Sequence, residues 1–127
     1  MSKKNFVIIG LIFTLLLVII SVIKFNSGYK IIISNNTDIT ISNLELKYKV
    51  GSTIKNISQI EPQKSWKSRI NTNDVQGENA IILTYKDLKG NSYEEYVVGY
   101  LEKGYRGRAN AVINKIDDNG KLLIDIK

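Results

Sequence analysis

The sequence predicts an all-β fold: an immunoglobulin-like antiparallel β-sandwich of about seven or eight strands, preceded by one N-terminal transmembrane helix. Residues 6–23 form an uncharged apolar run, and residues 29–127 consist of short alternating apolar and polar runs at regular spacing. Turn residues separate these runs, and no second helical pattern follows. A domain of this size builds one compact core.

The apolar run FVIIGLIFTLLLVIISVI carries only two polar side chains, Thr14 and Ser21. At about 1.5 Å per residue it makes a helix of roughly 27 Å, close to the ~30 Å hydrocarbon layer of a bilayer. A cleaved secretory signal is the alternative, because Lys3 and Lys4 form a basic start. The run is longer than the usual signal core and no small-residue cleavage pair follows it. We therefore expect a retained signal anchor rather than a secreted soluble β-domain.

The positions of the lysines suggest an orientation for the anchor. Lys3 and Lys4 precede the span and Lys24 and Lys30 follow it, so the positive-inside comparison is nearly balanced. A five-residue tail has nothing to translocate, which favours a cytoplasmic N-terminus. The predicted division is a cytoplasmic tail (1–5), a transmembrane helix (6–23), a short linker (24–28) and an extracytoplasmic domain (29–127), all at the cell membrane in a single pass.

Hydrophobic patterning predicts eight strands, listed here in order: 29–34, 39–50, 53–60, 66–70, 80–86, 93–101, 108–116 and 121–126. The third departs from strict alternation, because Ile54, Ile57 and Ile60 are spaced by three residues rather than two. Leu44 and Leu46 alternate in the opposite phase to Ile39 and Ile41, so the second strand must bulge or bend near residues 42–43.

Four further expectations concern faces, turns and loops. Tyr96, Val98 and Tyr100 are expected to share one face of their strand. Asn119 and Gly120 predict a type I′ hairpin turn, with both residues at positive φ. Residues 71–79 (NTNDVQGEN) read as a polar loop. Trp66, the only tryptophan, either lies in the core or pins the loop after the only proline.

The amino-acid composition argues against most kinds of catalytic site. The chain has no cysteine and no histidine, which excludes thiol catalysis, thiolate metal sites and the commonest metal ligand and general base. Asp117 and Asp118 lack the spacing of a calcium loop, and Glu94 and Glu95, adjacent on a strand, point to opposite faces. We therefore predict that the protein is not an enzyme, with no catalytic residue, no metal site and no cofactor.

Charge is basic but mixed. Beyond residue 23 the chain carries 16 basic and 12 acidic residues, a net charge of +4, with both signs interspersed. Blocks of like charge are missing from this region, so we expect no nucleic-acid partner. An excess of this size favours an anionic membrane surface or wall polymer.

One cluster is typical of a binding surface. Residues 99–108 (GYLEKGYRGR) combine tyrosines, arginines and glycines, and we take Tyr100, Tyr105, Arg106 and Arg108 as candidate binding residues. The competing interpretation is structural, because strand tyrosines commonly line the edge of a core and arginines beside turns are commonly solvated. The motifs Asn35-Asn36-Thr37 and Asn56-Ile57-Ser58 also match the glycosylation sequon.

Three segments carry a family resemblance: ISNNT (33–37), IEPQKS (60–65) and GYLEKGYRG (99–107). Together with a bias toward lysine, isoleucine and asparagine, they are similar to small single-pass membrane-anchored β-sandwich proteins of low-GC Gram-positive bacteria. The resemblance implies a surface location and no activity or site residues.

These observations favour a membrane-tethered, non-enzymatic binding or scaffolding module at the outer face of the cell membrane. Its partners would be the lipid bilayer, through residues 6–23, and a protein or an anionic wall polymer. The alternative is an immunity-type or protective protein that blocks a toxin or phage factor.

Overall fold

The computed structural model describes residues 1–25 and 28–127. Across these residues one helix precedes eight strands in chain order: α1 (Lys3–Phe25), β1 (Tyr29–Asn35), β2 (Ile41–Tyr48), β3 (Thr53–Ile60), β4 (Ser65–Ile70), β5 (Asn79–Lys86), β6 (Ser92–Leu101), β7 (Gly107–Ile116) and β8 (Leu122–Ile126). The predicted fold class, a β-sandwich behind a single N-terminal helix, is confirmed.

The strands form two four-stranded sheets. One has the order β4-β1-β7-β8 and the other β3-β2-β5-β6. We expected antiparallel pairing throughout, but β1 pairs with β7 in parallel, with Tyr29 opposite Gly107 and Ile33 opposite Ala111. Hairpins between consecutive strands enforce antiparallel pairing locally. β1 and β7 are far apart in sequence, so no such constraint acts on them.

The core lies between the inner faces of the two sheets. Its most buried members are branched aliphatic residues contributed by both sheets: Ile31, Ile33, Leu46, Ile81, Leu83, Leu101 and Ile113. Trp66 is half-buried on the edge strand β4, opposite Ile33, and packs against this cluster. It therefore contributes to the margin of the core.

Helix α1 stands outside this core. The segment Lys3–Ile23 is long and apolar enough to cross a membrane, and none of it is buried against the domain. The helix begins before the predicted boundary at residue 6 because Ser2 Oγ accepts a hydrogen bond from the Asn5 amide at 3.3 Å, as an N-cap residue does. It also takes in the first two residues of the predicted linker 24–28, while residues 26–27 of that linker lie outside the described residues.

The predicted irregularity in β2 is confirmed. Asn43 has a positive φ of 58°, and residues on either side of it, Ile41 and Leu44, are both buried despite their odd spacing. A second irregularity follows, because Leu46 pairs with Lys55 and Lys47 with Thr53, which leaves Ile54 as an extra residue in β3. The bulge accounts for the three-residue spacing of Ile54 and Ile57, and the bend at Asn43 accounts for that of Ile57 and Ile60, which lie opposite Leu44 and Ile41.

The expectation for β6 was wrong. Ile81 pairs with Val98 but Ile82 pairs with Tyr96, so Val97 is an extra residue in β6. A second register shift follows between Val98 and Leu101, which pair with Ile81 and Asn79. Val98 is buried at 6% exposure, while Tyr96 and Tyr100 on either side are 47% and 46% exposed. The three side chains therefore do not share a face.

The turn at residues 117–120 is a hairpin, as predicted, but not of type I′. Gly120 has a positive φ of 85°, whereas Asn119 does not. The Asp117 carboxylate instead accepts hydrogen bonds from the amides of Asn119 and Lys121, each at 2.9 Å, and so caps the turn. This aspartate makes the second positive φ unnecessary.

Candidate functional site

The strands run between two ends of the sandwich, which we name by their distance from α1. The helix-side end comprises residues 28–30, 49–53, 69–79 and 100–108, and the far end comprises residues 35–41, 60–65, 86–92 and 116–122. Strands β1 and β7 start at the helix-side end and run in the same direction, and their antiparallel neighbours return to it. Each candidate surface belongs to one of these ends.

Gly28 fixes the start of the domain. Its carbonyl accepts a hydrogen bond from the Gly107 amide at 3.3 Å, and its φ is +87°. A Cβ at this position would lie 2.1 Å from the carbonyl oxygen of Ile70, so only glycine fits. The first residue of the domain therefore packs between the end of β4 and the start of β7.

Thr72 joins the two loops of the helix-side end. Its hydroxyl donates to the Tyr105 carbonyl at 2.7 Å, and its own carbonyl accepts from the Gly104 amide at 3.0 Å. Thr72 and Val75 are both buried, so the segment 71–79 that the sequence marks as a polar loop is anchored at two points. The β6–β7 loop is consequently held against the β4–β5 loop.

The predicted cluster lies on this end. Tyr100 and Tyr105 meet edge to face with ring centroids 6.0 Å apart. The Tyr100 hydroxyl donates to the Glu102 carboxylate and, at 3.4 Å, to Glu78. The hydrogen bond to Glu102 raises the pKa of the Tyr100 phenol well above its usual range, so the hydroxyl remains a neutral donor. The Tyr100 ring is thus held between the Tyr105 ring and the Glu102 carboxylate.

The two arginines of the cluster are exposed beside these rings. Arg108 Nε donates to Asn110 Oδ1 at 3.5 Å, a long contact. Across residues 1–25 and 28–127, neither Arg106 nor Arg108 forms an ion pair, in contrast to Lys49, which pairs with Glu94 at 2.5 Å. Both guanidinium groups therefore face solvent with most of their donors free for a ligand.

The two ends of the domain differ in their balance of basic and acidic residues. The helix-side end carries six basic and three acidic residues: Lys30, Lys49, Arg69, Lys103, Arg106 and Arg108 against Asp74, Glu78 and Glu102. The far end carries four basic and five acidic residues: Lys64, Lys86, Lys89 and Lys121 against Asp38, Glu61, Asp87, Asp117 and Asp118. The excess of positive charge is therefore concentrated next to the helix.

A cleft at the far end was not anticipated. Strand β2 pairs with β5 from Glu45 to Tyr48, but residues 41–44 leave β5 and pair with β3 alone. The divergence begins at Asn43, whose left-handed backbone redirects the strand. A cleft of about 910 Å³ opens between residues 39–47 of one wall and the β5–β6 and β7–β8 hairpins of the other.

The two hairpins behind the cleft support one another. The Leu88 amide donates to the Asn119 carbonyl at 2.9 Å, and Gly120 lies against Leu88 so closely that a Cβ there would sit 3.1 Å from Leu88 Cγ. The rings of Tyr85 and Tyr93 stack at 5.2 Å on the inner side. This wall of the cleft joins the two sheets at the far end.

The carboxylates that line the cleft are already engaged. Asp87 accepts from the amides of Lys89 and Asn91, from the Asn91 side chain and from the Tyr93 hydroxyl, at 2.9 to 3.1 Å. The Asn91 side-chain hydrogen bond, more than the others, lowers the pKa of Asp87. A carboxyl group with a lowered pKa is poorly suited to act as a general acid. The lining of the cleft combines apolar side chains with hydroxyl and lysine side chains, among them Thr84, Ser92 and Lys86.

Sequence reasoning predicted the bend in β2 but not the cleft that the bend opens. The signal was present in the change of hydrophobic phase between Ile41 and Leu44. Its consequence depends on β5 continuing straight while β2 turns away, which is a relation between two distant strands. The hydrophobic pattern of β2 alone does not predict how far β2 lies from β5.

No family model matches the chain, and no curated protein matches it. Among solved structures, an NMR structure of a protein from Eubacterium rectale aligns with a TM-score of 0.49 and 16% sequence identity, covering 80% of this chain and 88% of that one. Similarity at this level transfers no site or activity to this chain.

Proposed function

We propose that the protein is a membrane-tethered, non-enzymatic binding or scaffolding module at the outer face of the cell membrane. The observation that carries the proposal is the unburied apolar helix, which ends two residues before the described part of the sandwich begins at Gly28. None of the segment Lys3–Ile23 is covered by the domain, although its side chains are almost all large and apolar. Such a surface calls for a hydrocarbon environment, which a bilayer supplies.

The proposed orientation places the N-terminus in the cytoplasm and the sandwich outside. The N-terminal tail is short and carries Lys3 and Lys4, and basic residues next to a span favour the cytoplasmic side. In this orientation the far end, with its cleft, points away from the bilayer. The resemblance to anchored surface proteins of Gram-positive bacteria is in keeping with this arrangement.

The far end supports a protein partner better than an anionic polymer. Its acidic residues outnumber its basic ones by one, so it provides no general attraction for a polyanion. Two large apolar side chains, Leu88 and Ile39, are 82% and 48% exposed beside the cleft. Exposed apolar residues next to a concave surface are a common feature of protein interfaces.

Topology can be tested with single cysteines, because the natural chain has none. Asp118→Cys at the far end and Ser2→Cys in the tail are labelled in intact cells with a membrane-impermeant maleimide. We expect labelling at residue 118 without permeabilisation and at residue 2 only after it. The opposite pattern, or release of a labelled domain into the medium, would contradict the proposal.

The binding role is tested by photo-crosslinking in living cells. Benzoylphenylalanine replaces Leu88 at the far end or, as a matched control, Val50, which is 72% exposed at the opposite end. We expect one discrete protein adduct from residue 88 that residue 50 does not form. Identical adducts from both positions would show that the far end is not a specific binding surface.

A further inference from the structure

We propose that the helix-side end is a docking surface for anionic lipid headgroups, which holds the sandwich upright on its own membrane. This inference rests on the proposed tethering and assigns a partner to the predicted cluster of Tyr100, Tyr105, Arg106 and Arg108. The partner it commits to is the phosphate-bearing headgroup layer of the bilayer that contains α1. Three observations carry it.

The first observation is reach. Three residue steps separate Phe25, the last residue of α1, from Gly28, the first residue fixed in the domain. An extended chain covers at most about 3.6 Å per residue, so the two points lie within roughly 11 Å of each other. The helix-side end cannot move far from the surface at which the helix emerges.

The second observation is that this end has little slack of its own. Gly28 is wedged against the Ile70 carbonyl and hydrogen-bonded to Gly107, and the β6–β7 loop is held by Thr72. The short connection is therefore not extended by unravelling of β1 or of the adjacent loops. The reach of the connection, roughly 11 Å at most, is comparable to the Debye length of about 8 Å at physiological ionic strength.

The third observation is chemistry. Six basic residues against three acidic ones occupy this end, and five basic residues remain in excess of the three when Lys49, which pairs with Glu94, is set aside. Arg106 and Arg108 keep free donors that suit the phosphate oxygens of a headgroup. Tyr100 and Tyr105 are 46% and 40% exposed, and tyrosine is enriched where proteins meet the headgroup layer. The far end, which lacks the positive excess, has no such complementarity.

The experiment measures how close the domain sits to the bilayer. Full-length protein carrying Gln76→Cys, an exposed position of the β4–β5 loop, is labelled with a fluorophore and reconstituted into vesicles with a headgroup-linked quencher. Vesicles of phosphatidylcholine alone are compared with vesicles containing 30% phosphatidylglycerol (about one lipid in three). We expect at least twofold stronger quenching with phosphatidylglycerol, and loss of the difference in about 0.5 M salt, where screening is strong.

Two charge variants provide matched controls. Replacing Lys103, Arg106 and Arg108 with glutamine should abolish the effect of phosphatidylglycerol. The same loss of three charges at the far end, by replacing Lys64, Lys86 and Lys89, should leave it intact. All six side chains are exposed, and circular dichroism checks that both variants are folded.

The outcomes separate this inference from the proposed tethering. Equal quenching in both lipids by protein that floats with the vesicles would overturn the docking surface and leave the tether standing. Equal losses in both charge variants would also overturn it, because net charge rather than this surface would then be responsible. Protein that fails to float with either kind of vesicle would overturn the tether and the docking surface together.

Discussion

Asn35 is the buried polar residue on which the far end depends most. Its side chain is fully buried; the amide donates to the carbonyls of Ile39 at 2.8 Å and Ile60 at 2.9 Å, and the carbonyl oxygen accepts from the Thr37 amide at 3.0 Å and the Thr37 hydroxyl at 2.7 Å. Asn35→Ala removes all of these bonds. The Thr37 hydroxyl and the Ile39 carbonyl still have each other, at 3.1 Å.

Two buried groups, the Ile60 carbonyl and the Thr37 amide, then lose the partner that Asn35 supplied. Each unsatisfied buried group costs roughly 1 to 3 kcal/mol, so we expect a loss of about 2 to 6 kcal/mol in the free energy of unfolding. A small domain has about 5 to 15 kcal/mol in total. The variant should therefore be close to the limit of stability.

The assay is urea unfolding of the full chain in detergent micelles, followed by the fluorescence of the single tryptophan, Trp66. With a urea dependence of about 1 to 3 kcal/mol per molar, the midpoint should fall by roughly 1 M or more. The neighbouring exposed residue supplies the control, since Asn36→Ala should stay within about 0.5 kcal/mol of the natural protein. A loss below about 1 kcal/mol for Asn35→Ala, or equal losses in both variants, would refute the reasoning.

Three further predictions use the same assay. Asp87→Asn should lower the midpoint at pH 7, and the deficit should shrink below about pH 4, because a lowered folded-state pKa stabilises only while the unfolded-state carboxyl is ionised; a deficit that does not change with pH would contradict this. Gly28→Ala should cost about 2 kcal/mol or more, since its Cβ would meet the Ile70 carbonyl, whereas Gly99→Ala, with nothing within 4 Å, should be nearly neutral; similar losses would contradict it. Asn43→Gly should be tolerated and Asn43→Val should cost about 1 to 2 kcal/mol, because φ is 58° there; equal midpoints for the two would argue against the left-handed backbone.

Much of the fold could be predicted because local patterns carried the information. The apolar span, the eight short strands and the hairpin at residues 117–120 depend on residues close together in the chain, and all of them are present in the structure. The three-residue spacing of Ile54, Ile57 and Ile60 reflects one bulge in the pairing of β3 with β2 together with the bend of β2 at Asn43. Irregular periodicity was therefore informative about strand geometry.

What could not be predicted depends on relations between distant segments. The parallel pairing of β1 with β7 and the divergence of β2 from β5 appear only when separate strands are placed side by side. The role of Asn35 was hidden in the same way, since a turn-like Asn-Asn-Thr motif gives no sign that its first side chain is buried under Ile60. That burial also removes Asn35 from consideration as a glycosylation acceptor, while Asn56 remains exposed.

For the candidate cluster, too, the residue types were predictable from the sequence and the position in the fold was not. Residue types predicted a surface of tyrosines and arginines at residues 100–108, and the structure brings Tyr100 and Tyr105 into contact with both arginines exposed nearby. Its position beside the entry of the chain into the domain came from the Gly28–Gly107 contact. Its binding role remains a prediction that the lipid experiment tests.

The placement of β1 between β4 and β7 determines how a mechanical load would pass between α1 and the domain. Strand β1 is the first element after Gly28, and it is hydrogen-bonded along both edges, to β4 on one side and β7 on the other. Interstrand hydrogen bonds lie across the strand direction, so a pull along β1 strains both ladders at once, in shear, instead of opening them one bond at a time. A force that dragged the sandwich away from its helix would thus meet a joint with high resistance to rupture.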